Sequence, residues 1–414
     1  MRWFYSGIRG VARLCALVLV LGLVACGGGA GAGAGAGGAG ASTQSGGLSA
    51  KAQLGEKIFH DLSLSSGGNQ SCASCHDANH AHAAPNLRMV QLGSDGVSEG
   101  SRVSPSIRYL ANNQPLRFDA EGAPSGGFFW DGRKATLAEQ AKAPFLNPVE
   151  MANGDVATVI SRLSQATYAA EFKALFGSGI FNDPDAAFER VALALQAYQQ
   201  EDPSFAPFDS KYDAFLRGQT TLSTAELRGL AWFNSPSKGN CAACHPSGIT
   251  PNGRLPLFTD FSYDNLGVPK NWLALNSHGD LGLCANGTEA IKGLPTSAKD
   301  ALCGAFKVPS LRNVGERKAY FHNGRFTHLT DVVTFYVQRD THPERWYLDA
   351  NQQPDVKFND LPEAYLGNVN TSEAPYNRLL GGEPALNSTE IDEVVSFLCT
   401  LSDGWPTRSS ACNR

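Results

Sequence analysis

Two stretches of the sequence read Cys-x-x-Cys-His: Cys72-Ala73-Ser74-Cys75-His76 and Cys241-Ala242-Ala243-Cys244-His245. Two thiols at this spacing can each add to one vinyl group of a porphyrin. The histidine that follows then lies under the iron as an axial ligand, so this pattern is the attachment signature of haem c. A zinc site would instead bring together two C-x-x-C pairs, typically ~15–20 residues apart in sequence. Here the pairs stand far apart, with Cys75 closing the first and Cys241 opening the second. A thioredoxin-like redox pair calls for a βαβ context that the surrounding pattern does not offer. The expectation is two covalent haem c groups, held by Cys72, Cys75 and His76 and by Cys241, Cys244 and His245.

What such haems do depends on the other side of each iron. Two strong protein ligands make an electron carrier, whereas an open face lets iron bind peroxide or oxygen. Beyond Met1 the methionines are Met89 and Met151, and the histidines outside the two motifs are His60, His80, His82, His278, His322, His328 and His342. Leu329, Val332, Val333 and Tyr336 have helical apolar spacing, which puts Tyr336 on a buried face. A buried phenol needs a partner. Ferric iron is one candidate and a backbone carbonyl is another.

The elements that must position these groups read as mainly helical. Leu48-Ser49, then GEKIF from Gly55 to Phe59, a polar loop and the first motif are matched in order by Leu222-Ser223, GLAWF from Gly229 to Phe233, a polar loop and the second motif. This internal repeat predicts one domain type used twice, with a boundary near residues 210–220. Ser223 with Glu226 forms a capping box ahead of Leu227, Leu230 and Ala231. Val156, Ile160 and Leu163 predict another helix, as do Val191, Leu195 and Tyr198. Asn387 with Glu390 caps a last helix whose apolar face is Ile391, Val394, Val395 and Leu398. Residues 246–310, rich in Gly, Pro and Asn, read as long loops, and loops of that length are usually functional or wrapped around something large. The fold class expected is mainly α: two cytochrome c-like domains, 48–215 and 216–414, each with one covalently bound haem and long irregular loops.

Residues 1–25 carry Arg2, Arg9 and Arg13 ahead of an apolar run from Leu14 to Ala25. The run is short for a membrane span, which needs about 20 apolar residues, and suits a signal peptide. It ends Leu23-Val24-Ala25-Cys26, similar to the lipobox of bacterial lipoproteins, so Cys26 is expected to carry lipid. Residues 26–47, almost all Gly, Ala, Ser and Thr, read as a flexible tether. The expected location is the periplasm, with membrane contact only through the lipid. In that oxidising compartment Cys284, Cys303, Cys399 and Cys412 allow three pairings. The local ones, Cys284 with Cys303 and Cys399 with Cys412, close short loops and are expected. The formal net charge of -5 comes with no basic run, which argues against a nucleic-acid partner.

The chain resembles the bacterial di-haem cytochrome c peroxidases and their relative MauG, which matures a tryptophan-derived cofactor. The resemblance runs from about Leu48 to Leu401. Besides the two C-x-x-C-H motifs it is carried by Phe129-Trp130-Asp131-Gly132-Arg133, Glu139-Gln140-Ala141, Pro148-Val149-Glu150-Met151, Lys307-Val308-Pro309-Ser310-Leu311-Arg312-Asn313 and Phe321-His322-Asn323-Gly324. It implies that the N-terminal haem is the peroxide site and the C-terminal haem the electron relay. It makes Glu150 the acid–base catalyst, Gln140 its neighbour and Trp130 the residue between the haems. Tyr336 falls where the peroxidases have a methionine ligand to the relay haem, and MauG resembles this chain in having tyrosine there. The distal histidine frequent in the peroxidases has no counterpart between Gln91 and Arg108. His80 and His82 follow His76 closely, and Met89 is an outside candidate, so an open or water-bound N-terminal haem is expected. The resemblance also implies a calcium ion near Ser104 and the carbonyls of Arg317 and Ala319, with the family's usual Asn replaced.

Three functions follow from this reading. The first is a peroxidase that reduces hydrogen peroxide with electrons from a small cytochrome c or copper protein. The second is a MauG-like enzyme that uses peroxide to oxidise Trp or Tyr of a partner protein. The third is a non-catalytic di-haem carrier.

Overall fold

The helix ahead of each C-x-x-C-H motif crosses a second helix with backbone touching backbone, and a glycine makes each crossing feasible. In the structure, a computed structural model describing residues 47–407 and 412–414, α1 (Ala50–His60) starts at Ser49, whose hydroxyl accepts from Ala52 N. The motif itself opens in a one-turn helix, α2 (Cys72–Cys75). Four helices complete the layer around α1: α3 (Leu137–Leu146), α4 (Val156–Leu163), α5 (Ala169–Phe176) and α6 (Pro184–Glu201). Proline at the first position of α6 forfeits no hydrogen bond there, and Asp183 caps the free amide of Ala186. A Cβ on Gly55 would lie 2.0 Å from the carbonyl oxygen of Ala194 on α6, so only glycine permits this approach.

The same device recurs after α7 (Lys211–Leu216). Helix α8 (Thr224–Asn234) carries the capping box read from sequence, with Ser223 N donating to Glu226 Oε2 at 2.6 Å. Short helices α9 (Glu289–Lys292) and α10 (Thr296–Asp300) lie in the long connection, followed by α11 (Leu329–Gln338) and α12 (Ser388–Cys399). A Cβ on Gly229 of α8 would lie 1.9 Å from the carbonyl oxygen of Glu393 on α12. Asn387 and Glu390 cap α12 reciprocally, and Ile391, Val394, Val395 and Leu398 are buried.

Each half has its own core. Leu54, Ile58, Phe59, Phe172, Leu195 and Tyr198 belong to the first, and Phe233, Phe335, Ile391 and Phe397 to the second. Residues 47–414 nevertheless form one unit by their contacts. Buried polar groups join the halves: Arg108 Nη1 and the Tyr109 hydroxyl donate to Asp403 at 3.0 and 2.7 Å. Beside them Arg312 grips Asp213 through two bonds of 2.9 and 2.7 Å.

Strands are few among the described residues: β1 (Arg117–Phe118) pairs antiparallel with β2 (Pro124–Ser125), and β3 (Tyr263–Asp264) with β4 (Phe306–Lys307). The long connection is largely irregular and is stapled by a disulfide from Cys284 to Cys303, with 4.9 Å between the Cα atoms. A second disulfide ties Cys399, the last residue of α12, to Cys412. The expected signal segment, the lipid site at Cys26 and nearly all of the tether lie outside the described residues. Among those described, no helix is long and apolar enough to cross a membrane.

Gly229→Ala is expected to lower stability by about 3 kcal/mol, because the added methyl must separate two helix backbones. A thermal melt within a degree of the parent would show that the crossing yields easily.

Candidate active site

Both motif histidines are aimed by the same local device. His76 Nδ1–H donates to the carbonyl oxygen of His82 at 3.1 Å, and His245 Nδ1–H donates to that of Phe258 at 2.7 Å. The two acceptor residues have left-handed backbones, with φ of 51° at His82 and 54° at Phe258, which turns each carbonyl back toward its imidazole. Holding Nδ1 this way leaves Nε2 as the metal-binding nitrogen and raises its basicity. Burial lowers the pKa of His76, and brings that of His245 down to about 4, so both rings are neutral, as a metal ligand must be.

Each histidine lines a cleft together with its two cysteines. The N-terminal cleft encloses about 2140 Å³ and the C-terminal one about 1540 Å³, open space at their mouths included. All four motif cysteines are free thiols, and burial pushes Cys72, Cys241 and Cys244 up to about 12 and Cys75 to about 11. These clefts fit a porphyrin. Their walls are largely apolar, the thiols and imidazole stand together, and a buried cation is left over. Arg317 lines both clefts, burial lowers its pKa, and its Nε has no hydrogen-bond partner among the described residues. A propionate of a bound haem would supply the missing anion.

The N-terminal cleft is also lined by Gln140, on α3, and by Glu150, in the turn after α3. Glu150 N donates to Asn147 O at 3.0 Å and its carbonyl accepts from Ser94 N at 2.7 Å, which fixes the turn. Burial raises the Glu150 carboxyl above its ordinary value, with Arg133 and the Asn147 side chain opposing the shift. The Gln140 amide makes no hydrogen bond among the described residues and is available to a ligand. Met151 also lines this cleft and packs in the first core.

His80, His82 and Met89 do not line it. His80 stands 3.6 Å from Asp77, and His82 stacks on Phe205 at 4.0 Å with Nε2 against Ser204 at 3.0 Å. The Met89 sulfur accepts from Asn271 Nδ2 at 3.2 Å.

In the C-terminal cleft Tyr336 projects from α11 and lines the wall. Burial raises its phenol pKa, and the hydroxyl makes no hydrogen bond among the described residues. Tyr376 lies beside it, ring centres 6.0 Å apart, under the Arg339 guanidinium at 4.3 Å.

Trp130 lines both clefts and is 9% exposed, with its indole N–H donating to Val103 O at 2.9 Å. The preceding Phe129 has φ of +67°, an outlier for a bulky side chain and a conformation costing about 1–3 kcal/mol. Arg133 lies over its ring at 3.7 Å. Lys307 also lines both clefts, donates to Gly127 O, and is brought down by burial to about 8, with Asp131 opposing.

The expected calcium residues do meet. Ser104, Arg317 and Ala319 line one small cavity with Asn86. Arg88 and Lys318 line it too and no carboxylate does, so a cation there would rest on the Ser104 hydroxyl, the Asn86 amide and backbone carbonyls.

Sequence reasoning did not find Arg102, Lys307 or Tyr376. Lys307 opens the Lys307–Asn313 stretch that carries part of the family resemblance, but nothing local marks a lysine as buried.

Two thiol–histidine clefts sharing a tryptophan define a di-haem peroxidase, and the chain belongs to the family of di-haem cytochrome c peroxidases and MauG. The family model described as di-haem cytochrome c peroxidase matches residues 49–221. The methylamine utilization protein MauG of Paracoccus denitrificans is 37% identical over 86% of this chain and 89% of its own length. The cytochrome c551 peroxidase of Nitrosomonas europaea is 29% identical over 68% of this chain and 71% of its own. The crystal structure of the diheme peroxidase BthA from Burkholderia thailandensis superposes with a TM-score of 0.80 at 37% identity, covering 88% of this chain and 89% of that one. The protein is therefore an oxidoreductase of the peroxidase type, and its family implies haem c.

Replacing Cys241 and Cys244 together by alanine is expected to lower covalent haem from two per chain to one, read as pyridine haemochrome absorbance per polypeptide. An unchanged ratio would remove the C-terminal cleft as an attachment site.

Proposed function

We propose that the chain reduces hydrogen peroxide at a haem held by Cys72, Cys75 and His76. Its electrons come from a small cytochrome c or copper protein through a second haem held by Cys241, Cys244 and His245. Residues 48–215 then form the peroxidatic domain and 216–414 the relay domain. The protein works in the periplasm, tethered by lipid on Cys26. The observation that carries the reading is the placement of Glu150 and Gln140 on the wall of the cleft that holds His76, while Trp130 belongs to both clefts.

Bound haem iron supplies the peroxide-binding position and passes on the electrons that break the O–O bond. The remaining steps belong to side chains. Glu150, when ionised, takes the proton from the near oxygen of peroxide. It returns that proton to the far oxygen, which leaves as water. Gln140, with a free amide, orients the peroxide. Trp130 carries electrons across the wall between the clefts. Arg317 neutralises carboxylate charge where the clefts meet. A non-catalytic carrier would have no use for a half-buried carboxyl in the lining of its haem cleft.

A second reading, oxidation of Trp or Tyr on a partner protein, is favoured by Tyr336. Its unbonded hydroxyl in the relay cleft suits ligation of ferric iron, and tyrosinate favours higher oxidation states. Rapid peroxide-dependent oxidation of a reduced cytochrome supports the first reading. Little cytochrome oxidation, with new cross-links in a partner, supports the second.

Tyr336→Phe is expected to change the low-spin ferric signal of one haem and leave the other as it was; an unaltered spectrum would end its role as a ligand. For Glu150, the base must be ionised, and burial moves its pKa upward. The value of kcat/KM for peroxide should therefore fall as pH drops through a midpoint above the ordinary carboxylate range. Glu150→Gln should lose that limb and about 10²–10⁴-fold in rate. A retained limb in the variant would assign the titration to another group.

A further inference from the structure

Trp130 stands between the two clefts, and its own loop supplies only part of what holds it there. Residues 126–133 include Gly126, Gly127 and Gly132, with φ of 82°, 75° and 71°, and Phe129 at 67°. One backbone bond, Phe128 N to Lys134 O at 2.8 Å, closes the loop on itself. Within the loop Arg133 also holds the Asp131 carboxylate, its N and Nη1 donating to Oδ1 at 3.2 and 2.9 Å; the remaining restraints come from outside. Lys307 N donates to Trp130 O at 2.8 Å, Asn286 Nδ2 to Asp131 O at 2.9 Å, and the Tyr263 hydroxyl to Gly126 O at 2.7 Å.

Arg102 is the pivot of this outer clamp. Its Nη1 donates to Asp131 Oδ2 at 2.7 Å, while Nε and Nη2 grip Asp280 in a fork of 2.6 and 2.8 Å. Arg102 and Asp131 line the N-terminal cleft, and Asp280 lines the C-terminal one. The ion pairs are largely withdrawn from water, with side-chain exposures of 17% for Arg102, 5% for Asp131 and 13% for Asp280, so they escape most solvent screening. Burial alone would raise the Asp280 carboxyl, but Arg102 holds it below its ordinary value. The guanidinium also lies 5.6 Å from the centre of the Phe306 ring, which stacks on His322 at 3.7 Å in the relay cleft. On the far side, Asp280 Oδ1 accepts from Gly282 N at 2.9 Å, at the head of the segment stapled by Cys284 and Cys303. Ile291 of the stapled segment packs in one cluster with Leu283, just before it, and Tyr263.

We infer that Arg102, gripped by Asp280, is a positioning residue that fixes Trp130 between the two haem sites and so sets how fast electrons pass between them. The inference rests on the proposed function, in which both clefts hold haem and Trp130 lies on the path. An electron crosses from the C-terminal to the N-terminal site with no bond made or broken. Arg102 acts only through the placement of the indole and the orientation of the Asp131 carboxylate beside it. The fork matters as well as the charge, because lysine keeps the charge but cannot span two carboxylates bidentately.

The test uses the full di-haem protein, half-reduced without peroxide, and follows electron equilibration between the haems by rapid-mixing absorbance. Hydrogen–deuterium exchange over residues 126–133 and the two midpoint potentials are measured alongside. Arg102→Lys and Asp280→Asn are each expected to slow equilibration about tenfold or more, as for a small misplacement of a reacting group, and to speed exchange in the loop. Asp280→Asn keeps the inference testable should the Arg102 variant not fold. Parent-like equilibration in a folded variant with both haems would overturn the inference. Equal slowing by Gly229→Ala, which loosens the α8–α12 crossing and removes neither ion pair of Arg102, would also overturn it, because any destabilisation would then suffice. A parent protein with no transfer between its haems would instead overturn the proposed function, and the inference with it.

Discussion

The two clefts share a wall, and much of the structure described above serves it. Trp130, Lys307 and Arg317 face both clefts, and the two cations bring charge to an otherwise apolar partition. Neither half could build that wall alone. Trp130 comes from the first half, where its indole donates to Val103 O, while Lys307 N and the Asn286 amide of the second half donate to the carbonyls of Trp130 and Asp131. Backbone polar groups withdrawn from water in that wall need partners, which accounts for the hydrogen bonds around residues 126–133.

The halves repeat a plan rather than a set of residues. In each, a capped helix leads through a polar loop into the thiol–histidine turn, and a left-handed carbonyl some way downstream aims the imidazole. In the first half that carbonyl belongs to a histidine, in the second to a phenylalanine. The acceptor is a backbone oxygen, so the identity of its side chain is free to change while the geometry stays. What differs is the rest of each cleft's lining. One presents a half-buried carboxyl and an amide, the other a phenol, and the proposed division into peroxide and relay sites follows from that difference.

Much of this was legible in the sequence because it is local. The Ser223–Glu226 and Asn387–Glu390 caps, the apolar stripe of α12 and the helical register of Tyr336 each depend on residues within a few positions of one another, and the helices lie where those spacings put them. The disulfides join neighbours across short loops. Three kinds of information were not legible. Arg102 and Asp280 are 178 residues apart, and no periodicity links them. The role of His82 resides in its backbone carbonyl, which side-chain reasoning overlooks. The burial of Lys307 is imposed by the partition it lines, and nothing in its neighbours announces it.

The glycine crossings bear on how such a protein could vary. Gly55 and Gly229 let paired helices touch main chain to main chain, so each pair is a stiff corner whose position owes little to side-chain size at the contact. The polar loops between these corners and the thiol–histidine turns are therefore decoupled from helix placement. Residues could be added or lost there without shifting the scaffold, which fits the unequal loop lengths of the two halves. Rim shape and solvent access at each cleft could thus diverge while the corner beneath stayed the same.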